Sequence, residues 1–485
     1  MKDYSLIKIN LRGGIVSPGI LQDILVLAKN GGSREVRFGA RQQLYLWMRS
    51  ETVRGNAMIE FKQKLDENNI EYETETDVFP NIISSYCAEE VFPTGQWLSE
   101  GIYQDIFDGF DFSPKLKVNI SDHEQSFTPF FTGNLNFIAS DTANFWYLYV
   151  RPKQSNQVFL FPILIYTLEI PKLCQRLEEV LLGENVTDEH LIYEKVIAKG
   201  QIISQVIQSE LQLPKFSLPY YEGFNRYGNK TWLGIYRRNE VFDIDFLIEA
   251  CKICLDTKIG QICTTPWKSL IIKGIENKDR TLWDKLLGKY AINVRHAANE
   301  LNWQVEDLSE EGLNIKKAVI REFDDEDVRT FGLSFAIQTK AKSELFGAVL
   351  VKKRLIFAGL SFVYDIYHSQ DFNPNARELV LFEKGVNKAH LAEMLQRLTK
   401  RFYAQASKSD LVEKTKKEKS KKESNKIKAH QYQCQTCFTI YDETFGDIHN
   451  QIPAGVRFED LPNDYCCSVC DASKEQYQKV ELALV

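Results

Sequence analysis

Two closely spaced pairs of cysteines near the C-terminus constrain the fold more than any other feature of this 485-residue sequence. Each pair has the form Cys-x-x-Cys, and the segment 438–466 separates the two pairs. In such a pair both sulfurs lie on one tight turn, and two facing turns make a tetrahedral cage of four sulfurs that suits iron or zinc. The pattern therefore predicts a metal bound by Cys434, Cys437, Cys467 and Cys470.

The size of this segment, 430–485, adds a second constraint. A hydrophobic core this small is marginal, so we expect folding to require the metal. Zinc is the structural alternative, because four cysteine ligands alone do not exclude it, although compact zinc ribbons usually have shorter gaps. Iron would make the segment an electron carrier, with a potential set by hydrogen bonds to the sulfurs and by burial of the cage.

The whole segment resembles the rubredoxin family. It reads YQCQTCFTIYDETFGD, then IPAGVRFEDLP, then NDYCCSVCDASKEQY. The resemblance implies one iron that cycles between Fe3+ and Fe2+ and exchanges electrons with redox partner proteins, either a reductase or an electron donor. The residues at the family's aromatic, turn and acidic positions are Tyr432, Tyr441, Asp442, Asp447, Pro453, Gly455, Phe458, Leu461, Pro462, Asp464, Tyr465, Lys474 and Tyr477.

The two cage turns depart from the family. Phe438 and Asp471 stand where the family usually has glycine, which adopts a positive φ without steric cost. Ser468 replaces a proline, and Cys466 is an additional thiol that we interpret as a small apolar filler rather than a fifth ligand. These changes bear on the redox potential and not on the identity of the four ligands.

The remaining chain is far longer than one metal module needs, so several domains are expected. The N-terminus, MKDYSLIKIN, enters a strand-like pattern at once, and no apolar run approaches the length of a membrane span. We therefore expect a cytoplasmic protein whose ten cysteines are metal ligands or core thiols rather than disulfides.

Charge is distributed unevenly along the chain. The net charge of −6 gives no indication of nucleic acid binding, and residues 430–485 alone have nine acidic against three basic side chains. An acidic tail suits docking onto a basic face of a redox partner, although solvation also explains it. The segment 411–428 has eight lysines and three apolar residues, which predicts a disordered, lysine-rich linker over 406–429.

The body, residues 1–405, is predicted to be an α+β structure with two related halves. The first half shows a β-α-β-β-α-β order, with Ser17 and Pro18 opening its first helix and its last strand at 70–74. The order recurs later in the chain, where the hairpin of Trp267 and Lys268 matches that of Arg41 and Gln42, and where Asp243 is the matching helix cap.

These patterns divide the chain into six segments. The predicted bounds are 1–75 and 226–295 for two ferredoxin-like half-domains, 76–225 and 296–405 for two mixed segments, 406–429 for the linker and 430–485 for the metal domain. The mixed segments are predicted to contain strands at 115–120, 135–139, 145–150, 316–322, 332–338 and 345–351, and a helix at 388–403.

The repeated pattern LRGG…GILQDILVLAKNGG…REVRFGARQQLYLWM resembles the half-domain of the siroheme nitrite and sulfite reductases, which are internally duplicated. The resemblance covers roughly residues 1–405. It implies catalytic, anion-binding roles for Arg41 in GARQQ and for Lys115 and Lys117 in SPKLKVNIS. Arginine and lysine suit this chemistry because they hold the anion and relay protons. Spacing alone favours the alternative that the two lysines are directed to solvent.

The same resemblance bears on a cofactor. It implies that Arg41, Gln42, Asn134 and Asn136, the last two in GNLNFIAS, contact a bound siroheme, with nitrite or sulfite as the substrate. The family's [4Fe–4S] cluster is not expected, because its four cysteines in two close pairs are missing. The segments LNWQVEDLSEEG and FDDEDVRTFGLS contain no cysteine, and the body has only Cys87, Cys174, Cys251, Cys254 and Cys263.

Three interpretations of the chain follow. In the first, it is an electron-transfer protein whose body is a degenerate reductase scaffold. In the second, it is a working siroheme reductase in which the tethered iron replaces the lost cluster, with His123 or His296 as further contacts, although a lone histidine is more often structural. In the third, it is a non-enzymatic docking or assembly partner of a separate reductase.

Overall fold

The protein, seen as a computed structural model, divides into two compact units, Met1–Lys400 (unit 1) and Arg401–Val485 (unit 2). The predicted linker at 406–429 lies outside the residues that the structure describes. Among the described residues, no helix is long and apolar enough to cross a membrane. The described residues are 4–49, 57–68, 70–73, 79–92, 97–153, 155, 157–184, 186–340, 345–356, 361–405, 430–447, 450 and 452–480.

Unit 1 begins with the predicted alternation of strands and helices. Ser17 accepts a hydrogen bond from the N–H of Ile20, and Pro18 opens the first turn of the helix that follows. The predicted strand at 70–74 is wrong for residues 70–73, which contribute only an isolated bridge between Tyr72 and Ile9. The elements are β1 (Tyr4–Ile9), β2 (Ile15–Val16), α1 (Pro18–Asn30), β3 (Glu35–Phe38), β4 (Leu44–Arg49) and α2 (Ala57–Glu67).

A seven-stranded sheet follows. Its order is β11-β10-β8-β7-β6-β5, with β9 beside β8, and its first two pairings, β5 with β6 and β6 with β7, are parallel. The elements are β5 (Ile83–Ser84), α3 (Glu100–Asp108), β6 (Val118–Ser121), β7 (Leu135–Ala139), β8 (Phe145–Val150), β9 (Phe159–Leu160), β10 (Ile163–Tyr166), α4 (Ile170–Glu178), α5 (Glu189–Ala198) and β11 (Ser204–Val206).

The next elements follow an order similar to that of the first set. They are β12 (Gly223–Tyr227), β13 (Lys230–Ile235), β14 (Phe242–Asp243), α6 (Ile244–Asp256), β15 (Ile262–Thr264), β16 (Leu270–Ile275) and α7 (Arg280–Lys289). β13, α6 and β16 match β1, α1 and β4 in length and follow them at one constant offset in residue number. Asp243 caps α6 by accepting hydrogen bonds from the N–H groups of Asp245 and Phe246, as Ser17 caps α1.

The two sets exchange short strands. β2 pairs with β15, so that Val16 lies opposite Ile262, and β14 pairs with β3, so that Phe242 lies opposite Val36. The resulting sheets have the orders β1-β4-β3-β14 and β12-β13-β16-β15-β2. Helices α1 and α6 lie against each other, and their buried faces join one hydrophobic core with both sheets. The two sets therefore form a single folding unit.

A five-stranded sheet completes unit 1. Its order is β17-β18-β19-β20-β21, and again the first two pairings are parallel and the others antiparallel. The elements are α8 (Ala298–Leu301), β17 (Trp303–Val305), α9 (Glu310–Asp325), β18 (Phe335–Gln338), β19 (Val349–Ile356), β20 (Ser361–Ser369), β21 (Leu379–Val386) and a helix at 391–405.

The predicted strand at 316–322 is wrong, because these residues belong to helix α9. Ser309 caps the helix by accepting a hydrogen bond from the N–H of Gly312. The buried side chains of Leu313, Lys316, Ile320 and Phe323 then recur every three or four residues, which is helical spacing.

Unit 2 is a small antiparallel sheet over an aromatic core. Its strands are β22 (Gln431–Cys434), β23 (Ile440–Asp442) and β24 (Tyr477–Val480), with β22 in the centre. The ring of Tyr432 stacks on that of Phe458 with 4.1 Å between centroids. The buried core side chains are Tyr441, Phe458, Leu461 and Tyr465.

Removing the two helix caps should destabilise unit 1. We expect Ser17→Ala and Asp243→Ala each to lower the free energy of unfolding by about 0.5–2 kcal/mol in urea titrations, because each leaves helix N–H groups without an acceptor. Ser99→Ala is the matched control, since Ser99 precedes α3 without a capping hydrogen bond. An equal loss in Ser99→Ala would contradict the capping interpretation.

Candidate metal centre

Four sulfur atoms of unit 2 lie within 4.8 Å of one another. The Sγ atoms of Cys434 and Cys470 are 3.6 Å apart, and those of Cys437 and Cys467 are 3.5 Å apart. Thiolates about 2.3 Å from a tetrahedral metal are separated by about 3.8 Å. The spacing therefore fits one metal ion, and no other comparable group of histidine, cysteine or carboxylate ligands occurs in the described part of the chain.

The two turns that carry the sulfurs are built alike. In the first, the N–H of Cys434 donates to the carbonyl of Thr439 and the N–H of Phe438 donates to that of Cys434, both at 2.9 Å. Phe438 and Asp471 have φ values of 63° and 56°, the positive values that the family's glycine positions imply. The equivalent bonds in the second turn join Cys467, Asp471 and Ala472.

The thiols perturb one another. Burial raises the pKa of Cys467, but hydrogen bonds from the Tyr477 hydroxyl and from the N–H groups of Val469 and Cys470 outweigh it and bring the pKa to about 6. For Cys470 the Ala472 N–H lowers the pKa, whereas desolvation and the three neighbouring sulfurs raise it to about 12. Four thiolates are therefore stable together at neutral pH only with a cation, and metal binding releases protons.

Fold and site together define a small tetrathiolate metal domain. The model of the family described as Rubredoxin matches residues 431–477. Rubredoxin-2 of Chlorobaculum tepidum is 44% identical over 50 residues, which cover 10% of this chain and 96% of that protein. The chain belongs to the rubredoxin family through this domain, and rubredoxin domains transfer electrons to or from partner proteins.

Longer relatives share only this domain. Rubredoxin-1 of Pseudomonas putida is 54% identical over 44 residues, and Rubredoxin-2 of Ectopseudomonas oleovorans is 52% identical over 44 residues. In both cases the match covers 9% of this chain and 25% of the relative. This chain therefore spans about a quarter of the length of these two relatives.

A solved structure of another protein matches most of this chain. The NirA protein of Mycobacterium tuberculosis matches 82% of this chain and 80% of its own, with a TM-score of 0.59 and 16% sequence identity. At this identity the likeness establishes the fold and assigns no activity to the residues of unit 1.

Arg41 lies in the turn between β3 and β4 and is bonded to neighbouring segments. Its Nε and Nη2 donate to the carbonyl of Asn81 at 3.1 and 2.8 Å, and Nη2 also donates to the carbonyl of Val118 at 3.1 Å. Nη1 donates to Oδ1 of Asn119 at 3.2 Å. The guanidinium thus joins the turn to β6, and its role in anion binding stays a prediction.

The turn of Gln42 has a counterpart in the second set of elements. Gln42 and Lys268 both have positive φ, 62° and 57°. Gln42 is buried, and its Nε2 donates to the carbonyls of Ser84 and Thr264 at 3.1 and 2.9 Å. This amide therefore joins the turn after β3 to β15.

Trp267 occupies the position that corresponds to Arg41. Its indole N–H donates to the carbonyl of Phe127 at 2.9 Å, and its ring lies 6.1–6.4 Å from three other aromatic rings. The three rings belong to Phe127, Tyr221 and Phe346. An aromatic cluster thus replaces a cation at this second turn.

The other predicted contacts lie at the start of β6 and β7. Lys115 is exposed, Lys117 is half-buried, and both precede β6, which begins at Val118 rather than at residue 115. The amides of Asn134 and Asn136 are bonded to backbone groups around their own turn. Asn134 bonds Lys117 and Arg151, and Asn136 bonds Gly133 and Tyr149. Their cofactor roles stay predictions.

The two histidines lie beside carboxylates. His296 is buried with Nδ1 2.7 Å from Oε1 of Glu222, and Nε2 of His123 is 3.3 Å from Oδ1 of Asp141. Their roles as further contacts of a bound siroheme stay predictions.

All five cysteines of unit 1 are buried thiols. Burial raises the pKa of Cys87 and of Cys251 to about 12, and that of Cys263 to about 11. Cys251 and Cys254 lie in the shared core of α1 and α6, which confirms their interpretation as core thiols.

A buried ionic network was not predicted. Lys268 Nζ lies 2.8 Å from Oε2 of Glu240 and 3.4 Å from Oδ1 of Asp307, and that same Oδ1 accepts a hydrogen bond from the N–H of Ala40 at 3.0 Å. The network therefore links the two related turns. No local pattern reveals it, because its members come from distant parts of the sequence.

Lys316 should make stability depend on pH. Burial lowers its pKa to about 8, and its Nζ donates to the Tyr236 hydroxyl at 2.7 Å. Because an unfolded lysine titrates near pH 10.4, the unfolded state binds more protons between about pH 8 and 10.4. The contribution of Lys316 to the free energy of unfolding therefore rises over this range, by up to about 3 kcal/mol.

Urea titrations from pH 7.5 to 10.5 test this expectation. Lys316→Met should remove this component of the rise, while Lys115→Met, at an exposed position, should keep it. Parallel pH profiles of wild type and Lys316→Met would contradict it.

Unit 2 should unfold when its metal is removed. Calorimetry of the full chain should show a transition of unit 2 that disappears after acid and chelator treatment, because the thiolates then lose their counter-charge. Cys467→Ser should abolish the same transition, whereas Cys466→Ser, the adjacent thiol outside the cage, should retain it. Retention of the transition in metal-free protein would contradict this dependence.

Proposed function

We propose that this chain transfers single electrons through one iron held by Cys434, Cys437, Cys467 and Cys470, and that this transfer serves nitrite or sulfite reduction in the cytoplasm. The observation that carries the proposal is the spacing of four sulfurs within 4.8 Å inside a rubredoxin domain. The NirA-like fold of unit 1 supports the choice of nitrite or sulfite as the anion concerned.

The coordination set limits what the iron can do. Four thiolates would complete the coordination of a bound iron and would leave no position for an anion. An iron held by these residues would supply one-electron transfer without bonds to a substrate. Nine acidic against three basic residues in 430–485 favour docking onto a basic face of a partner protein.

For unit 1 we propose a reductase-derived scaffold rather than a complete reductase. The constant offset in residue number between matched elements supports an ancestral duplication. The side chains of Arg41, Asn134 and Asn136 bond protein groups, and an aromatic cluster surrounds Trp267. The body also lacks the cysteine pairs that the reductase family uses for its cluster.

The second candidate is an active siroheme reductase in which the iron of unit 2 replaces the cluster. The extent of the NirA likeness, 82% of the chain, favours it. Lys115, which is exposed, and Lys117, which is half-buried, would then hold the anion through their positive charge. Siroheme would supply the centre at which the anion is reduced.

Spectroscopy of the purified full chain tests the proposal. One iron per chain and visible thiolate-to-iron bands that bleach on reduction are expected, and Cys467→Ser should lose them while Cys466→Ser keeps them. Colourless, zinc-loaded protein would refute the iron centre.

Reoxidation by anions separates the two candidates. If unit 1 is a scaffold, reduced protein should not be reoxidised by nitrite or sulfite in the absence of air. Tetrapyrrole bands together with reoxidation that Lys117→Ala abolishes would establish the active reductase instead.

A further inference from the structure

The first cage turn carries a hydroxyl that contacts a ligand sulfur. Oγ1 of Thr439 lies 3.1 Å from Sγ of Cys437, within hydrogen-bond distance for sulfur. A thiolate bound to a metal has no proton, so the hydroxyl is the donor in this contact. This side-chain hydrogen bond is additional to those that backbone N–H groups of the same turn donate to Cys434.

The turn fixes the position of this hydroxyl. The Thr439 carbonyl accepts a hydrogen bond from the N–H of Cys434 at 2.9 Å, and Phe438 reverses the chain with its φ of 63°. Threonine is branched at Cβ, which restricts rotation of its side chain. The hydroxyl is therefore held beside Sγ of Cys437 by the same bonds that shape the cage.

The second turn has no equivalent group. Ala472 occupies the position that corresponds to Thr439, and its carbonyl accepts from the N–H of Cys467 at 2.8 Å. Because alanine carries no hydroxyl, the sulfur of Cys470 receives no such bond from this position. At this position the two turns therefore differ by one side-chain hydrogen bond, while the hydroxyl of Tyr477 donates to the sulfur of Cys467 in the second half.

This difference has a defined effect on an iron in the cage. Uptake of one electron by ferric iron makes the Fe(Cys)4 group more negative, with no bond formed or broken. A hydrogen bond to a ligand sulfur stabilises the more negative, ferrous state more than the ferric state.

We propose that the Thr439 hydroxyl sets the reduction potential of the centre by donating to Cys437 Sγ and raising the potential. This inference rests on the proposed function, since it requires iron in the cage. It assigns Thr439 as a positioning and tuning residue outside the four ligands.

Potentiometric titration of the full-length, iron-loaded protein tests the inference. Thr439→Val keeps the branched shape and removes the hydroxyl. At a fixed ambient potential it should lower the ratio of ferrous to ferric protein by about twofold to tenfold, where tenfold corresponds to about 59 mV for a one-electron couple. Its ferric absorption bands should also move to longer wavelength, because the Cys437 sulfur becomes more electron-rich.

Two further variants make the test specific. Thr436→Val removes another hydroxyl of the same turn. The Thr436 hydroxyl donates to Oε1 of Gln476 at 2.8 Å and not to a sulfur. This variant should leave the potential and the bands unchanged. Thr439→Ser, which restores a hydroxyl, should return the potential toward the wild-type value.

The outcomes are distinct. A wild-type potential and spectrum in Thr439→Val, or an equal shift in Thr436→Val, would overturn this inference while leaving the electron-transfer proposal intact. Colourless wild-type protein would overturn both.

Discussion

Repulsion among four closely spaced sulfurs is the constraint on which unit 2 and its function depend. The N–H groups of Val469 and Cys470 and the hydroxyl of Tyr477 stabilise negative charge on Cys467, yet desolvation and the neighbouring sulfurs raise the pKa of Cys470 to about 12. A small aromatic core cannot offset this repulsion by itself. Folding of the domain and acquisition of its metal are therefore one process.

In unit 1, by contrast, charged groups mainly hold segments together. Arg41 ties the turn after β3 to β6, and Lys268 joins Glu240 to Asp307. Both residues lie in the turns that correspond between the two sets of elements. Arg41, which the reductase resemblance would assign to an anion, is thus bonded within the protein.

Local signals predicted the fold where they were sufficient. Ser17 with Pro18, and Asp243, marked helix starts because a cap requires only its neighbours. The sequence of 316–322 by itself predicts a strand, because a short run of mixed residues shows helical spacing only when the cap at Ser309 is included. The strand exchange could not be predicted, since it depends on tertiary packing and no local sequence pattern encodes it.

The same limit applies to the metal centre. The spacing of the cysteines alone predicts the four metal ligands, and the fold brings them together. They are Cys434, Cys437, Cys467 and Cys470. The contact between Thr439 and Cys437 could not be read from the sequence, because a residue type does not say where its hydroxyl points. The metal ligands are therefore predictable from the sequence. The groups that donate hydrogen bonds to the ligand sulfurs are evident only in the folded structure.

The exchanged strands also have a consequence for the order of events during synthesis. Val36 on β3 pairs with Phe242, which joins the growing chain only after the whole segment 37–241 has been made. At about 5–20 residues per second, the ribosome needs roughly 10–40 s to supply that partner. Until then the edge strand β3 of the nascent first sheet has no partner on one side. Unpaired strand edges of this kind are prone to aggregation and are bound by cellular chaperones.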